Sequence, residues 1–462
     1  MTFIATSLQD PSFEPWLEAQ LRHSADGMLS SISPLAIVKH RDGFGQTVRP
    51  VAGSIVASPV LGSYDPDPDY FFHWFRDSAV VIDALRLLHA DGRIGDDALQ
   101  RLRDFTRFSL DLNRLDGRVD AALPGRRERV APELLQYLRE DHDLARAHGD
   151  AVVAETRVNP DGTLDILRWA RPQHDGPPLR ALALLRWMAT GALDASLREE
   201  AASLIRFDLA FTLSHWREPS YDIWEEESGH HYYTLRVSAA ALAEGAAWLQ
   251  GLGDAVQAQQ CREASQAVLE LLDGYWVDEG TDAAGAPKGY YRSRVLADDQ
   301  PSPKALDIAV ILSAIHSAGA APRHGVADPR MHATLARLEA LFDAAYAINH
   351  GRPANRGPAM GRYPGDVYCS GGAYYFSTLG AAEFCFRAAA LGGDAARTWF
   401  ERGDAYLATV RAYTPADGAL SEQFDQHSGA QTSARHLAWS YAAFISSVRA
   451  RRLAAEAPAP RG

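Results

Sequence analysis

Two acidic stretches lie about two hundred residues apart in the chain: Tyr221-Asp222-Ile223-Trp224-Glu225-Glu226-Glu227 and Leu420-Ser421-Glu422-Gln423. Each sets a carboxylate beside aromatic or amide side chains, just ahead of a helix-like segment. Cleaving a glycosidic bond needs a carboxyl to protonate the leaving oxygen and a second one acting on the other side of the sugar ring. A third stretch, Tyr70-Phe71-Phe72-His73-Trp74-Phe75-Arg76-Asp77, adds aromatic faces and a guanidinium–carboxylate pair, which suit the hydroxyls of a sugar. A carbohydrate site is therefore the leading expectation.

The elements that must position these residues are mostly helical. Apolar residues recur at three- and four-residue steps, and the spacing predicts about twelve main helices. They fall near 13–32, 77–91, 95–113, 177–192, 196–215, 233–250, 253–274, 303–318, 329–347, 373–391, 394–411 and 432–452. A further amphipathic piece near 132–148 reads as an exposed insertion. Strand signals are few, with short hairpins expected around 51–57 and 289–291. Long loops precede the second, fourth, sixth, eighth, tenth and twelfth helices, and the other connections are short. Six helical hairpins with every long loop at one phase predict an all-α fold, a closed double ring of helices whose inner members begin at the end where the loops gather. An open helical solenoid would share the pairing, but it calls for a repeated motif that this chain lacks. A single catalytic domain over 1–453 is expected, with 454–462 a disordered tail.

Five of those six loops carry unusual residues: Arg76 and Asp77; Trp169 with Arg171; Trp224 with Glu225 to Glu227; Gly361-Arg362-Tyr363-Pro364-Gly365-Asp366; and Ser421-Glu422-Gln423. Each acid also has a plain reading as a cap at a helix N-terminus. If Glu225 is to stay protonated, the like charges of Glu226 and Glu227 favour it, and Arg76 or Arg362 nearby opposes it.

Composition narrows the partners. The chain has 462 residues, 47% of them hydrophobic, enough for a large core. A net charge of −13 with no long basic run argues against nucleic acid or an anionic membrane as partner. Three cysteines, Cys261, Cys369 and Cys385, give no disulfide framework. The N-terminus lacks the charged and apolar regions of a signal peptide, so a cytoplasmic location is expected. No phosphate-binding glycine loop appears, and no nucleotide cofactor is expected. His230-His231 lacks a third ligand, Asp65-Pro66-Asp67-Pro68-Asp69 lacks the glycine and glutamate of a calcium loop, and no metal is expected.

The segments together resemble those of the glucoamylases, the inverting glucohydrolases of glycoside hydrolase family 15. Tyr70 to Ala79 is similar to that family's first substrate-binding segment. Arg171-Pro172-Gln173-His174-Asp175-Gly176-Pro177 with Leu179-Arg180-Ala181 resembles the second, and Tyr221 to Glu226 the general-acid segment. Gly361 to Asp366 resembles the fourth. Leu420 to Gln423, with Gly429, Ser433-Ala434-Arg435 and Trp439-Ser440-Tyr441, resembles the general-base segment. The resemblance implies an (α/α)6 barrel with Glu225 as general acid and Glu422 as the base that activates water. It implies that Arg76 and Asp77 hold the terminal glucose, that Tyr70 and Trp74 line its site, and that Trp169, Arg171, Trp224, Glu226 and Arg362 contact that sugar or the next. Asp222 takes a supporting, base-like position. His73, Phe75, His230 and His231 depart from the family's pattern where the second sugar is expected. This leaves α-1,6-specific hydrolysis or trehalose cleavage as alternatives to a glucoamylase activity. The alternative of another class is a non-catalytic helical scaffold or sugar-binding protein.

Overall fold

The computed structural model describes residues 10–62, 67–296, 300–317 and 323–457. Twelve main helices form: α1 (Phe13–Ser30), α2 (Phe75–Ala90), α3 (Asp97–Leu112), α4 (Gly176–Ala189), α5 (Ala195–His215), α6 (Tyr232–Gly251), α7 (Ala255–Asp273), α8 (Ala309–His316), α9 (Pro329–Ala345), α10 (Tyr375–Ala390), α11 (Ala396–Tyr413) and α12 (Ala438–Glu456). The even-numbered helices pack in a closed cycle, α2 on α4, then α6, α8, α10 and α12, and α12 returns to α2. The odd-numbered helices cover them from outside, each packing on an inner helix. This is the expected (α/α)6 barrel, and closure excludes the solenoid.

The inner helices are buried nearly all round, as Ala239-Ala240-Ala241-Leu242 in α6 and Ala381-Ala382 in α10 illustrate. Small side chains let the six axes approach closely. The outer helices keep a polar face, and α3 buries Leu102, Phe105 and Leu112 while its charges face water. One stacked pair, Phe376 of α10 and Trp439 of α12, lies ring on ring with centroids 4.4 Å apart between two inner helices.

Short strands sew the long loops together in pairs. His73–Trp74, before α2, pairs with Arg157–Val158, before α4. Ser220–Tyr221 and Ser228–His231, before α6, join Arg294–Leu296, before α8. Ala373–Tyr374, before α10, pairs with Gln423–Phe424, which pairs with Gln431–Thr432, before α12.

Several expectations are corrected. The segment 132–148 is not a helix: it breaks into Pro132–Tyr137 and Asp141–Leu144, with Arg139 between them drawn inward to Glu155 and Asp143. The hairpin at 289–291 forms, as Pro287–Tyr291 against Trp276–Thr281. Residues 51–57 do not form one, because their N–H groups bond outward, Val56 to Ser31 and Ala57 to Phe72. The helix expected at 303–318 starts at Ala309, where the Asp307 carboxylate accepts the Ala309 N–H at 2.8 Å. That expected at 432–452 starts at Ala438, because Ser433 and His436 take left-handed backbone angles of 64° and 53°. It runs on to Glu456 with Ala454 buried, past the expected boundary at 453. The last five residues of the expected tail lie outside the described residues, as do Asp65 and Pro66.

Candidate active site

At the loop end of the barrel a cavity of about 240 Å³ is lined by Tyr70, Trp74, Arg76, Asp77, Trp169, Trp224, Glu225, Glu226, Arg362 and Glu422. Ten of the twelve candidate residues therefore converge, from five different loops. Phe376 and Trp439 form part of the same lining. A second cavity of about 160 Å³ opens among Asp83, Arg186, His316 and Glu383, beyond that aromatic pair, and contains neither candidate acid.

Glu225 sits at the tip of a turn built by Asp222. The Asp222 Oδ1 accepts the N–H of Glu226 at 2.7 Å and of Glu227 at 3.2 Å, while the Asp222 carbonyl accepts the N–H of Glu225. This forces Glu225 into a left-handed φ of 65°, a strained choice for a residue with a side chain. The turn aims its carboxyl at three N–H donors. Trp74 Nε1 donates to Oε1 at 2.8 Å, Arg76 Nη2 to Oε1 at 3.1 Å, and Trp169 Nε1 to Oε2. Glu226 and Glu227 turn away to cations: Glu226 to Arg362 and Lys304, Glu227 to Arg294.

Glu422 approaches the cavity with different partners. Tyr70 O–H donates to its oxygens at 3.2 and 3.3 Å, and Ser433 Oγ donates to Oε2. It is 9% exposed. Burial pushes its pKa up to about 7, against the hydrogen bond from Ser433, the charge of Arg362 and the hydrogen bond from Tyr70. Tyr70 O–H also meets Tyr368 O–H at 2.9 Å, so the two phenols hold this wall together.

Arg76 and Asp77 open α2. Arg76 reaches Asp175 at 3.2 Å and Glu225 at 3.1 Å, so one buried guanidinium serves several acids. Asp175 can come this close because the next residue is Gly176. A Cβ there would lie 2.6 Å from the Cβ of Phe75, the residue before Arg76. Burial pushes Asp77 up to about 6; Arg76 opposes this, and the charges of Glu225 and Asp175 add to it. Asp77 Oδ2 and Arg76 Nε lie 3.5 Å apart, and neither has a hydrogen-bond partner among the described residues. Both residues line the cavity, so a guanidinium that donates and a carboxylate that accepts stand side by side in its wall.

Two candidates lie elsewhere. Arg171 is drawn beneath the cavity by Glu155 at 2.6 Å and Asp165 at 3.0 Å. Asp165 also binds Arg157, whose guanidinium stacks on Trp169 at 3.5 Å. Arg171 thus stiffens the platform under Trp169, and two buried carboxylates hold its guanidinium away from the cavity. Asp222 is 2% exposed and paired with Arg294 at 3.0 Å, so it builds the acid's turn and does not face the cavity as a base-like group. The four residues that depart from the family's pattern are also absent from the lining. His73 is buried, its Nδ1 accepting the Ile55 N–H at 3.0 Å, and Phe75 belongs to the core. His230 and His231 are strand residues facing Val295 and Arg294.

Sequence reasoning overlooked Asp307, Lys304, Tyr363 and Tyr368. Asp307 accepts the Trp224 indole N–H at 2.8 Å and binds Arg294; burial pushes its pKa up to about 6. For Tyr363 and Tyr368 the signal available was position in the long loop before α10, whereas Lys304 and Asp307 fell inside the helix expected at 303–318.

The description "Glycosyl hydrolases family 15" belongs to the family model that matches residues 42–109 and 157–449. The chain belongs to this family. Membership makes it a glycoside hydrolase, and the segment 110–156 lies between the two matched stretches. The family 15 chain is similar to a glucoamylase of Neurospora crassa, 26% identical with 96% of this chain and 71% of the relative covered. It is similar to an intracellular sporulation-specific glucoamylase of Saccharomyces cerevisiae, 25% identical, with 94% and 83% covered. In fold it matches the glucoamylase of Saccharomycopsis fibuligera with a TM-score of 0.76 at 20% identity, covering 99% of both chains. A family 15 glucoamylase of Hypocrea jecorina matches with a TM-score of 0.74 at 24% identity, with 96% and 72% covered.

Proposed function

We propose that this family 15 enzyme releases β-D-glucose one unit at a time from the non-reducing ends of α-glucans or oligosaccharides. The observation that carries the reading is that Glu225 and Glu422 line one cavity with separate sets of partners. Inversion needs two carboxyls roughly 6.5–9.5 Å apart with room for a water. In this reading Glu225 donates its proton to the glycosidic oxygen; Oε2, which among the described residues accepts from Trp169 alone, has the capacity to carry it. Glu422 takes a proton from water as the water oxygen attacks the anomeric carbon. Its removal from water supports this role, because burial makes the carboxylate a stronger base. Asp77 and Arg76 hold the hydroxyls of the terminal glucose, and Tyr70, Trp74 and Trp169 give it aromatic faces. The Phe376–Trp439 stack supports exo action: it lines both this cavity and the one among Asp83, Arg186, His316 and Glu383, and a wall there would admit a chain end and not a chain middle.

The test is a substrate panel of maltose, isomaltose, dextran and trehalose, with the anomer of the first product read by NMR. The expected first product is β-glucose. An initial α-anomer would mean retention and a closer pair of carboxyls. Rapid glucose release from isomaltose or trehalose with little from maltose would replace the α-1,4 reading with one of the alternatives. Cytoplasmic residence belongs to the same proposal, supported by a sparse, odd set of three cysteines.

A further inference from the structure

The loop before α8 offered no candidate in the sequence, yet it reaches the site through Lys304. Its Nζ donates to Glu226 Oε2 at 2.6 Å, lies 3.8 Å from Glu227 Oε1, and sits 4.9 Å from the centre of the Tyr363 ring. The backbone that presents it is pinned. Its N–H donates to Ser302 Oγ at 3.1 Å, and its carbonyl accepts from Ser293 Oγ at 2.9 Å. Glu226 lines the cavity, and Lys304 stands behind it. Arg362 Nη2 donates to the other oxygen of Glu226 at 3.0 Å, and Tyr363 O–H donates to the same oxygen as Lys304. Three donors from two loops thus fix the plane of one carboxylate at the cavity wall.

We propose that Lys304 is a positioning residue that sets linkage preference by clamping Glu226 against the second sugar. The proposal rests on the glucohydrolase reading above and names the group that decides which second sugar that site accepts. An α-1,6 linkage carries one more rotatable bond than an α-1,4 linkage, so it presents the second ring's hydroxyls at other positions. A carboxylate held rigid discriminates between the two, whereas a mobile one follows either. The lysine side chain is 22% exposed and lies outside the helices of the barrel, so its removal is expected to leave the barrel intact.

The experiment uses the whole enzyme and its Lys304→Ala and Lys304→Arg variants. kcat and KM are measured on maltose, isomaltose and α-D-glucosyl fluoride, which has no second sugar. Lys304→Ala is expected to change the maltose-to-isomaltose ratio of kcat/KM by about fivefold or more, chiefly through KM. Lys304→Arg keeps a cation on Glu226 and is expected to restore most of that ratio. The loss on α-D-glucosyl fluoride is expected to be smaller than on either disaccharide. A ratio unchanged in Lys304→Ala, or an equal loss on all three substrates, overturns the proposal while the glucohydrolase reading stands. An unmutated enzyme that hydrolyses none of the three overturns both.

Discussion

Glu422 is a carboxylate that folding makes basic. Burial alone would carry its pKa higher; the hydrogen bonds from Ser433 and Tyr70 and the charge of Arg362 hold it at about 7. Its ionised form is the one that can take a proton, so activity is expected to fall on the acid side as pH drops through that value. Ser433→Ala removes a donor that favours the ionised form. The acid limb of the kcat/KM profile is then expected to move to higher pH, by up to about one unit. A limb that stays put or moves down would remove Glu422 from the role of base. Glu422→Gln keeps the shape of the side chain and loses its basicity. Turnover is expected to fall at least about a thousandfold with the circular dichroism spectrum unchanged.

At the scale of elements, the small sheets decide where the side chains point. Three of them join two neighbouring long loops, so a residue on one of those loops is placed by its partner loop as much as by its own helix. Arg294 shows this: from the loop before α8 it binds Asp222 at 3.0 Å and Glu227 at 2.8 Å, on the turn that carries Glu225. Asp307 then ties Arg294 to the Trp224 indole and to the start of α8. Replacing Asp307 with Ala leaves part of a buried guanidinium and an indole N–H without a partner. The expected cost is roughly 2–4 kcal/mol in urea unfolding, with a raised KM for maltose as Trp224 loosens. A stability within about 0.5 kcal/mol of the parent would mean that the two loops are not coupled through this carboxylate.

At the scale of the molecule, the ring of inner helices closes, so no hairpin stands alone and the last one packs on the first. One catalytic domain is our proposal, and calorimetry is expected to show one cooperative transition. The site also opposes stability. Folded, Glu422 keeps its proton to about 7, whereas its ordinary value is 4.5. Across that window the unfolded chain binds fewer protons than the folded one, so this group's contribution to stability falls as pH rises and stays low above 7. Gln at 422 has no charge to bury. Its advantage in Tm over the parent is therefore expected to be absent below about pH 4.5, to grow up to pH 7 and then to level off. A constant difference in Tm across that range would show that Glu422 titrates alike in both states.

The sequence by itself determined the helices, their pairing and the loops that carry the chemistry, because helical periodicity and loop length are local properties. It also placed Glu225, Glu422, Arg76 and Asp77 among the residues that meet. Only the tertiary structure decided which way neighbours in one loop face. Arg171 and Asp222 stand in the right segments, yet each is drawn by buried partners, Arg171 by Glu155 and Asp165 of its own loop, Asp222 by Arg294 of the loop before α8. Lys304 and Asp307 lie in a stretch whose pattern reads as helix, and they join the site because the sheet through Arg294–Leu296 brings that stretch to the mouth. A side chain's direction depends on the charges that surround it after folding, and spacing along one chain does not contain those charges.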